Sequence, residues 1–369
     1  MKTNRIFPAL VGAVALCAVL LACGGRGGEG DEVELIAAKV TATDLSNQRV
    51  TAFAEDGEGM MWIGTFRGLN SYNSHKFHQY FCTDQPEDLP DNQINSLFRD
   101  SKQRLWVATI WGVATHNDKD KFTQYPVDSA RGYCKQVFEG VDGRVFAISG
   151  GRLALLDEEA ECFVTKTPAR GQGHEYQYGF MDFGGRLWLC GNGGEIDILD
   201  GTTFERKDSV EVGVPMTCFY RDTDQNLLYA GSPAGLRVVD ISTRRTVALP
   251  APLREGADIA SAYISVVHKH KEQLLVATPD GLYCYNLSTG ELMHENDSRF
   301  PFEVPDYVNA LYTDSRDNLW IGSYHQGFKI VPTKERFNSN HLLVGKMANR
   351  PVYSLAADKS DRLWLCTLQ

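Results

Sequence analysis

Asp314-Ser-Arg-Asp-Asn-Leu-Trp-Ile-Gly-Ser323, followed by Gly327-Phe328, is one copy of a pattern that recurs along the whole chain. A second clear copy is Asp100-Ser-Lys-Gln-Arg-Leu-Trp-Val-Ala-Thr109, followed by Gly112-Val113. Eight copies are spaced 40 to 47 residues apart, with the tryptophan position occupied by Trp62, Trp106, Phe146, Trp188, Leu228, Leu275, Trp320 and Trp364. Self-similarity at this period indicates a repeat architecture whose unit is one small sheet.

Each repeat predicts four short strands. The first alternates apolar with small or polar residues, as in Val308-Asn-Ala-Leu311, and a turn rich in Asp, Asn and Gly follows it. The second, such as Leu319-Trp-Ile-Gly322, is continuously apolar, which indicates a strand covered on both faces. A glycine opens the third strand, and a weaker fourth strand, such as Lys76-Phe-His-Gln-Tyr80, ends the unit. The repeats therefore predict an all-β fold, a seven-bladed β-propeller of four-stranded blades.

The eighth repeat contains only its first two strands, within residues 351–369. A blade cut at this point leaves a sheet edge uncovered, which natural chains avoid. Two alternatives follow: these strands begin a second propeller, or they join Glu34–Val40 to close an eight-bladed ring. We favour the first, in which Glu34–Val40 supplies the weak fourth strand of blade seven near Phe337. The predicted organisation is a signal peptide at 1–22, a flexible tether at 23–33, the propeller at 34–350 and the start of a further blade at 351–369.

The N-terminus indicates export. Lys2 and Arg5 precede an apolar stretch from Ala9 to Ala22, which is of signal-peptide rather than membrane-spanning length. The sequence Leu20-Leu21-Ala22-Cys23 resembles a bacterial lipobox, in which cleavage would leave Cys23 as a lipidated first residue. The alternatives are an ordinary secretory peptide and an uncleaved anchor. We expect a membrane-anchored protein of the periplasm or outer surface.

Charge and cysteine content limit the classes of function that this chain can have. The chain has a formal net charge of −10 and contains no run of basic residues, which argues against nucleic-acid binding. Of nine cysteines, Cys17 leaves with the signal peptide and Cys23 is the lipidation candidate, so an odd number remains. Cys82 and Cys134 are the one pair predicted as a disulfide candidate. The strand positions of three others predict small buried hydrophobes: Cys190, Cys284 and Cys366.

The sequence predicts no catalytic residue, cofactor or metal site, because it contains none of the common catalytic or phosphate-binding motifs. His268-Lys-His270 is interpreted as surface residues in a tight turn rather than a metal site. Asp222, Asp224 and Asn226 imitate the start of a calcium loop, whose downstream glutamate is absent. The tryptophans of the repeat are expected to form the core between blades: Trp62, Trp106, Trp188, Trp320 and Trp364.

The loops between second and third strands contain the candidate binding residues. Because strand direction alternates, these loops share a face with the long connections between blades, where binding tends to be built. Arg67, Trp111, Tyr324 and His325 belong to blades one, two and seven, which are neighbours in a seven-bladed ring. Aromatic and Arg side chains supply stacking and bidentate contacts that suit an oligosaccharide. The alternative is that these residues cap the central channel or face a second domain.

The repeat pattern Asp-x-x-x-x-Leu-Trp-Ile-Gly-Thr-x-x-Gly-Leu-x-x-Tyr-Asn resembles the two-component-regulator propeller repeat. The matching copies lie at 56–73, 100–117 and 314–329, and the resemblance covers about residues 45–369. It implies the periplasmic sensor region of hybrid two-component systems of Bacteroidetes, with two propellers followed by a β-sandwich, a membrane helix, a histidine kinase, a receiver and a DNA-binding domain. It also implies an oligosaccharide ligand, a phosphorelay and a homodimer, since the kinase phosphorylates across subunits.

Two other functions remain open at the level of sequence. The lipobox departs from the family pattern, because a transmembrane sensor needs no lipid anchor, so a free-standing lipoprotein propeller that acts as a docking scaffold is the first alternative. A propeller lyase or glycosidase is the second. Glycosidase chemistry needs two positioned carboxylates, and no acidic pair recurs in the loops between second and third strands.

Overall fold

A computed structural model describes residues 45–73, 76–83, 85–117, 120–128, 132–167, 175–255 and 258–333, together with strands at 352–357 and 363–367. The signal peptide, Cys23, the tether, the 34–40 segment and the position near Phe337 lie outside the described residues. No helix in the described ranges is long and apolar enough to span a membrane.

Seven antiparallel sheets follow one another along the chain, and in each the strands pair in sequence order. Blade 1 contains β1–β4, at Val50–Glu55, Met61–Thr65, Gly68–Tyr72 and Phe77–Tyr80. Blade 2 contains β5–β8, at Ile94–Arg99, Leu105–Thr109, Gly112–His116 and Phe122–Tyr125. Blade 3 contains β9–β12, at Cys134–Glu139, Val145–Ser149, Arg152–Asp157 and Cys162–Thr165.

The remaining blades repeat the arrangement. Blade 4 contains β13–β16, at Tyr176–Met181, Arg186–Gly191, Glu195–Asp200 and Arg206–Glu211. Blade 5 contains β17–β20, at Cys218–Asp222, Leu227–Ser232, Gly235–Asp240 and Arg245–Val247. Blade 6 contains β21–β24, at Val266–His270, Gln273–Thr278, Gly281–Asn286 and Leu292–His294. Blade 7 shows three strands within the described residues, β25–β27, at Val308–Thr313, Leu319–Ser323 and Phe328–Val331.

Two further features complete the described structure. A short helix, α1 at Ala251–Glu255, and a 3-10 turn at Asp258–Ala260 occupy the connection between blades 5 and 6. The two strands of the eighth repeat, β28 at Val352–Ala357 and β29 at Leu363–Thr367, pair with each other as predicted. The side chain of Trp364 lies outside the description, so its predicted burial stays a prediction.

The ring closes between blades 7 and 1. β1 contacts β5 on one side and β25 on the other. Asn309 Nδ2 donates to the Val50 carbonyl at 2.8 Å, and the Gly327 amide donates to the Gln48 carbonyl at 3.0 Å. The predicted seven-bladed β-propeller is therefore confirmed, and the alternative of an eight-bladed ring is wrong.

The repeated aspartate and tryptophan form one structural unit. In blade 2, Asp100 Oδ1 accepts the Arg104 amide at 2.9 Å, while its Oδ2 accepts the Trp106 indole N–H at 2.8 Å. Blades 1, 4 and 7 repeat the indole bond at 2.9 Å. The carboxylate thus closes the turn and satisfies the only polar atom of a buried indole, which explains the fixed spacing of these residues.

The core lies between blades, as predicted. Four tryptophans are almost fully buried, with exposed fractions of 2% for Trp62, 0% for Trp106, 0% for Trp188 and 4% for Trp320. Trp106 packs against Tyr125 of its own blade and Phe163 of blade 3, with ring centroids 4.8 and 5.6 Å away. Each sheet is therefore covered on both faces by its neighbours, which explains the continuously apolar second strands.

The junction between blades 5 and 6 replaces the tryptophan bond with an ion pair. Leu228 stands at the tryptophan position of blade 5, so this position supplies no indole N–H to donate a hydrogen bond to the Asp222 carboxylate. Lys269, at the aspartate position of blade 6, places Nζ 3.1 and 3.0 Å from the two Asp222 oxygens and 3.0 Å from Asp224. The residues that imitate a calcium loop are thus bonded by a lysine of the next blade.

Two expectations from the sequence are wrong. Cys82 and Cys134 are not joined in a disulfide: Cys82 Sγ lies 3.7 Å from the Pro90 carbonyl, and Cys134 Sγ lies 3.5 Å from the Gln136 carbonyl. Cys134 is buried on its own strand, where it acts as a small hydrophobe. Cys190 and Cys284 are buried as predicted, and the side chain of Cys366 lies outside the description.

The histidine pair of blade 6 is the second correction. His268 and His270 lie in β21 rather than in a tight turn, and both rings contact the Thr313 hydroxyl of blade 7, at 2.8 and 3.1 Å. Burial, with a smaller contribution from His270, lowers the pKa of His268 from 6.5 to about 4. His268 is therefore a half-buried residue that is neutral at physiological pH.

Acidification is expected to destabilise the fold through His268. Because the pKa is lower in the folded than in the unfolded chain, the unfolded chain binds the proton first. The full stability is present above pH 6.5 and is lost progressively between pH 6.5 and about 4, by up to about 3 kcal/mol. Urea unfolding at a series of pH values should show a smaller loss in His268→Gln. His78→Gln, at a side chain 59% exposed, is the control that should keep the wild-type pH dependence.

Candidate functional site

The loops between second and third strands are built by one small device. In blade 1, the Thr65 hydroxyl donates to the Gly68 carbonyl at 2.7 Å and accepts the Arg67 amide at 3.1 Å. Gly68 has a φ of 109°, a conformation that side chains disfavour. Thr109 with Gly112, Ser232 with Gly235 and Thr278 with Gly281 repeat the hydroxyl-to-carbonyl bond. The two residues inside each loop are therefore free to vary.

These loops and the segments that lead into the first strands share one surface, which we call the loop face. The Phe66 amide donates to the Arg49 carbonyl at 2.9 Å, and the Tyr324 amide donates to the Tyr307 carbonyl at 2.9 Å. The tight turns at the aspartates lie at the other ends of the same strands, on the opposite face, as the sequence predicts. The residue before each first strand is thus fixed beside the loop of its own blade.

A cation and four rings converge where blades 7 and 1 meet on the loop face. The Arg49 guanidinium carbon lies 4.1 Å from the centre of the Tyr324 ring and 4.6 Å from that of Phe66. The His325 ring contacts Tyr324 edge-on at 4.8 Å and Tyr307 edge-on at 5.9 Å. We call Arg49, Phe66, Tyr307, Tyr324 and His325 the aromatic arc.

The arc is accessible to a ligand. The exposed fractions are 42% for Phe66, 38% for Tyr324 and 57% for Tyr307. Arg49 is held by the two rings that flank it, and its buried Nε has no hydrogen-bond partner among the described residues. The guanidinium stacks between the two rings, and a cation–π contact of this kind contributes about 0.5–2 kcal/mol. The guanidinium therefore lies between two exposed rings.

Of the four residues predicted from sequence, the structure brings Tyr324 and His325 into contact. Arg67 is exposed on the same loop as Phe66, and no side-chain contact joins it to the arc in the ranges that the structure describes. Trp111 is 57% exposed and borders a hollow of about 70 Å³ with Pro90 and Tyr125. The participation of Arg67 and Trp111 in binding stays a prediction.

Arg49 and Tyr307 were not predicted from the sequence. Both are the residue before a first strand, a position that the repeat pattern does not include. The two residues occupy equivalent positions in blades 1 and 7, and those blades are neighbours in the ring. These two facts together could have identified them.

Comparisons with known proteins agree with the fold. A family model described as two component regulator propeller matches residues 44–67, 88–111 and 304–325, in blades 1, 2 and 7. These matches confirm that the chain contains two-component-regulator propeller repeats. A search of curated protein sequences finds no match.

Two similar structures come from two-component-system proteins of B. thetaiotaomicron. The extracellular domain of a protein assigned as the hybrid two component system BT3049 has a TM-score of 0.65 and 21% identity, over 87% of this chain and 45% of that one. The extracellular domain assigned to the hybrid two component system BT4673 has a TM-score of 0.63 and 18% identity, over 86% and 43%. This chain thus spans less than half the length of either domain.

A third similar structure is an enzyme. An inactive variant of virginiamycin B lyase from Staphylococcus aureus, crystallised with quinupristin, has a TM-score of 0.59 and 13% identity, over 79% of this chain and 98% of the lyase. At this identity the likeness shows the shared propeller fold alone.

Proposed function

We propose that this chain is the ligand-sensing propeller region of an exported hybrid two-component sensor, and that its ligand is an oligosaccharide. The aromatic arc on the loop face is the observation on which the proposal rests. The propeller repeats and the structural likeness to extracellular domains of hybrid two-component systems support the sensor role. Kinase activity would belong to a longer protein, beyond the residues considered above.

The arc suits a sugar chemically. Sugar rings present apolar C–H faces that stack on the exposed rings of Phe66 and Tyr307, and their hydroxyls pair with planar donors such as the Arg49 guanidinium. Asp306 and Gln326 add polar groups beside the arc, where the Ser323 hydroxyl lies 3.0 Å from the Asp306 carboxylate. Individual contacts of this kind contribute on the order of 1–3 kcal/mol, which changes affinity tenfold or more.

The location of the arc supports a role in signalling. The ring is closed non-covalently between blades 7 and 1, where the Glu55 carboxylate accepts the amide and the hydroxyl of Ser315 at 2.6 and 2.7 Å. A ligand on the arc would contact both the first and the last blade. By binding one arrangement of that junction better than another, it would shift the population toward that arrangement. We propose that a homodimer transmits this shift across the membrane.

Membrane attachment completes the proposal. The predicted signal peptide directs the chain out of the cytoplasm, to the periplasm or outer surface. Cys23 would anchor it through a lipid, or a helix of a longer protein would do so.

Transcription in the bacterium that encodes this chain tests the sensor role. Deletion of the gene is expected to abolish the induction of a set of genes by one class of oligosaccharide, among several supplied as sole carbon source. The wild-type gene should restore that induction and a Tyr324→Ala allele should not. Phe183→Ala, which changes a 70% exposed ring on the opposite face, should restore it fully. Unchanged induction in the deletion strain for every oligosaccharide would refute the sensor role.

A further inference from the structure

One charged residue breaks the repeat inside the central channel. In blades 2 and 7 the second residue of the first strand is an asparagine that donates to the next blade: Asn95 Nδ2 to the Cys134 carbonyl at 2.7 Å, and Asn309 Nδ2 to the Val50 carbonyl at 2.8 Å. Lys135 occupies this position in blade 3. A neutral group that joins two blades is thus replaced by an ammonium.

Lys135 extends into the space that the ring encloses. Its Nζ lies 5.3 Å from the centre of the Tyr178 ring, on the first strand of blade 4. Burial lowers the pKa of Lys135, and the Cys218 thiol, on the first strand of blade 5, acts in the opposite direction. First strands line the axis of a propeller, so a side chain of blade 3 that lies beside a ring on the first strand of blade 4 belongs to the wall of the channel. Among the described residues no ion pair joins it to a carboxylate.

Two further tyrosines belong to the connections next to this ammonium and Tyr178 on the loop face. The Tyr178 hydroxyl donates to the Thr217 carbonyl, and the Thr217 hydroxyl donates at 2.6 Å to the carbonyl of Ile264, the residue after Tyr263. Tyr133 lies two residues before Lys135, and its carbonyl accepts the Gly150 amide at 2.8 Å. Tyr133 is 41% exposed and Tyr263 is 46% exposed. Lys135, Tyr133, Tyr178 and Tyr263 together form what we call the channel-mouth cluster. It belongs to blades 3 and 4 and to the connection into blade 6, away from the aromatic arc.

We propose that the channel-mouth cluster is a second binding site, which takes a carboxylate attached to a ring with an apolar face, as in a sugar acid. A partly buried ammonium without a counter-ion favours an anion, because the anion replaces the hydration that burial removes. The exposed tyrosine rings offer a stacking surface, and their hydroxyls donate to a carboxylate or a sugar hydroxyl.

Calorimetric titration of the purified chain tests this site with three probes: D-glucuronate, its neutral counterpart D-glucose, and benzoate. Glucuronate is expected to bind and glucose is not. Lys135→Met should weaken glucuronate binding at least tenfold, whereas Lys135→Arg, which keeps the charge, should retain most of it. Lys207→Met, at a lysine whose side chain is 53% exposed, is the matched control and should bind as the wild type does. Bound glucuronate should also protect Lys135 from reductive methylation, measured by mass spectrometry.

Three outcomes would overturn the proposal. The first is that glucuronate does not bind, and the second is that the wild type and Lys135→Met bind glucuronate equally well. The third is that benzoate alone binds, which would exclude a sugar acid as the ligand. The Tyr324→Ala variant distinguishes this site from the aromatic arc, because it should leave glucuronate binding unchanged. Failure here would therefore leave the proposed sensing function untouched.

Discussion

Trp106→Ala is expected to lower the free energy of unfolding by about 3–5 kcal/mol, the usual cost of removing a large core aromatic. The indole is fully buried and packs against rings of two blades, so its loss opens a cavity at their junction. It would also leave the Asp100 carboxylate, itself 2% exposed, without one of its hydrogen bonds.

Two further variants separate packing from hydrogen bonding in urea denaturation. Trp106→Phe keeps most of the ring and removes the indole N–H, so a loss of about 1–3 kcal/mol is expected, because buried Asp100 Oδ2 keeps only its bond from Arg104 Nε. Trp111→Ala removes a tryptophan that is 57% exposed and should change stability by less than about 0.5 kcal/mol. Equal effects of the two alanine variants would contradict the assignment of Trp106 to the core between blades.

Lys269→Met is expected to cost about 3–5 kcal/mol, because it leaves a buried charge without its partner. The Asp222 side chain is 1% exposed, and that of Lys269 is 11% exposed. The effect should greatly exceed that of an exposed pair such as Lys207 with Glu205, where Lys207→Met is expected to change stability by less than about 1 kcal/mol.

A double-mutant cycle tests the same junction. Asp222→Asn combined with Lys269→Met removes both charges, and the double variant should be more stable than Lys269→Met alone. The coupling between the two side chains is the effect of the double variant minus the sum of the effects of the two single variants. Effects of the two single variants that simply add in the double variant would show that the residues act independently, contrary to the ion pair seen in the structure.

The architecture could be predicted from the sequence because one local unit repeats. Trp106 donates a hydrogen bond to Asp100, six residues earlier, so every copy that has this bond shows the same spacing of Asp and Trp in the sequence. Blades 5 and 6 lack that bond, and the substitute, Lys269, acts on the neighbouring blade. The repeat pattern does not predict this contact, since it joins the aspartate positions of two copies rather than two positions within one copy.

The loop face was predicted more accurately than the arrangement of side chains on it. The face follows from strand direction alone, and Tyr324 and His325 lie on it as expected. Arg49 was missed because its side chain is positioned by two rings from blades that are far apart in sequence, Phe66 and Tyr324. The disulfide between Cys82 and Cys134 was wrongly predicted for a similar reason. Strand register buries Cys134 on its own sheet, and the spacing of cysteines in the sequence does not reveal that register.

Titration of the purified chain with a panel of neutral oligosaccharides tests the central claim, that the aromatic arc binds the ligand. One oligosaccharide is expected to bind, and Arg49→Ala and Tyr324→Ala should each weaken its affinity tenfold or more. Arg67→Ala and Trp111→Ala would report how far the ligand extends over blades 1 and 2. Phe183→Ala, on the opposite face, should bind as the wild type does. An oligosaccharide bound equally well by Arg49→Ala, Tyr324→Ala and the wild type, or the failure of all to bind, would contradict the account.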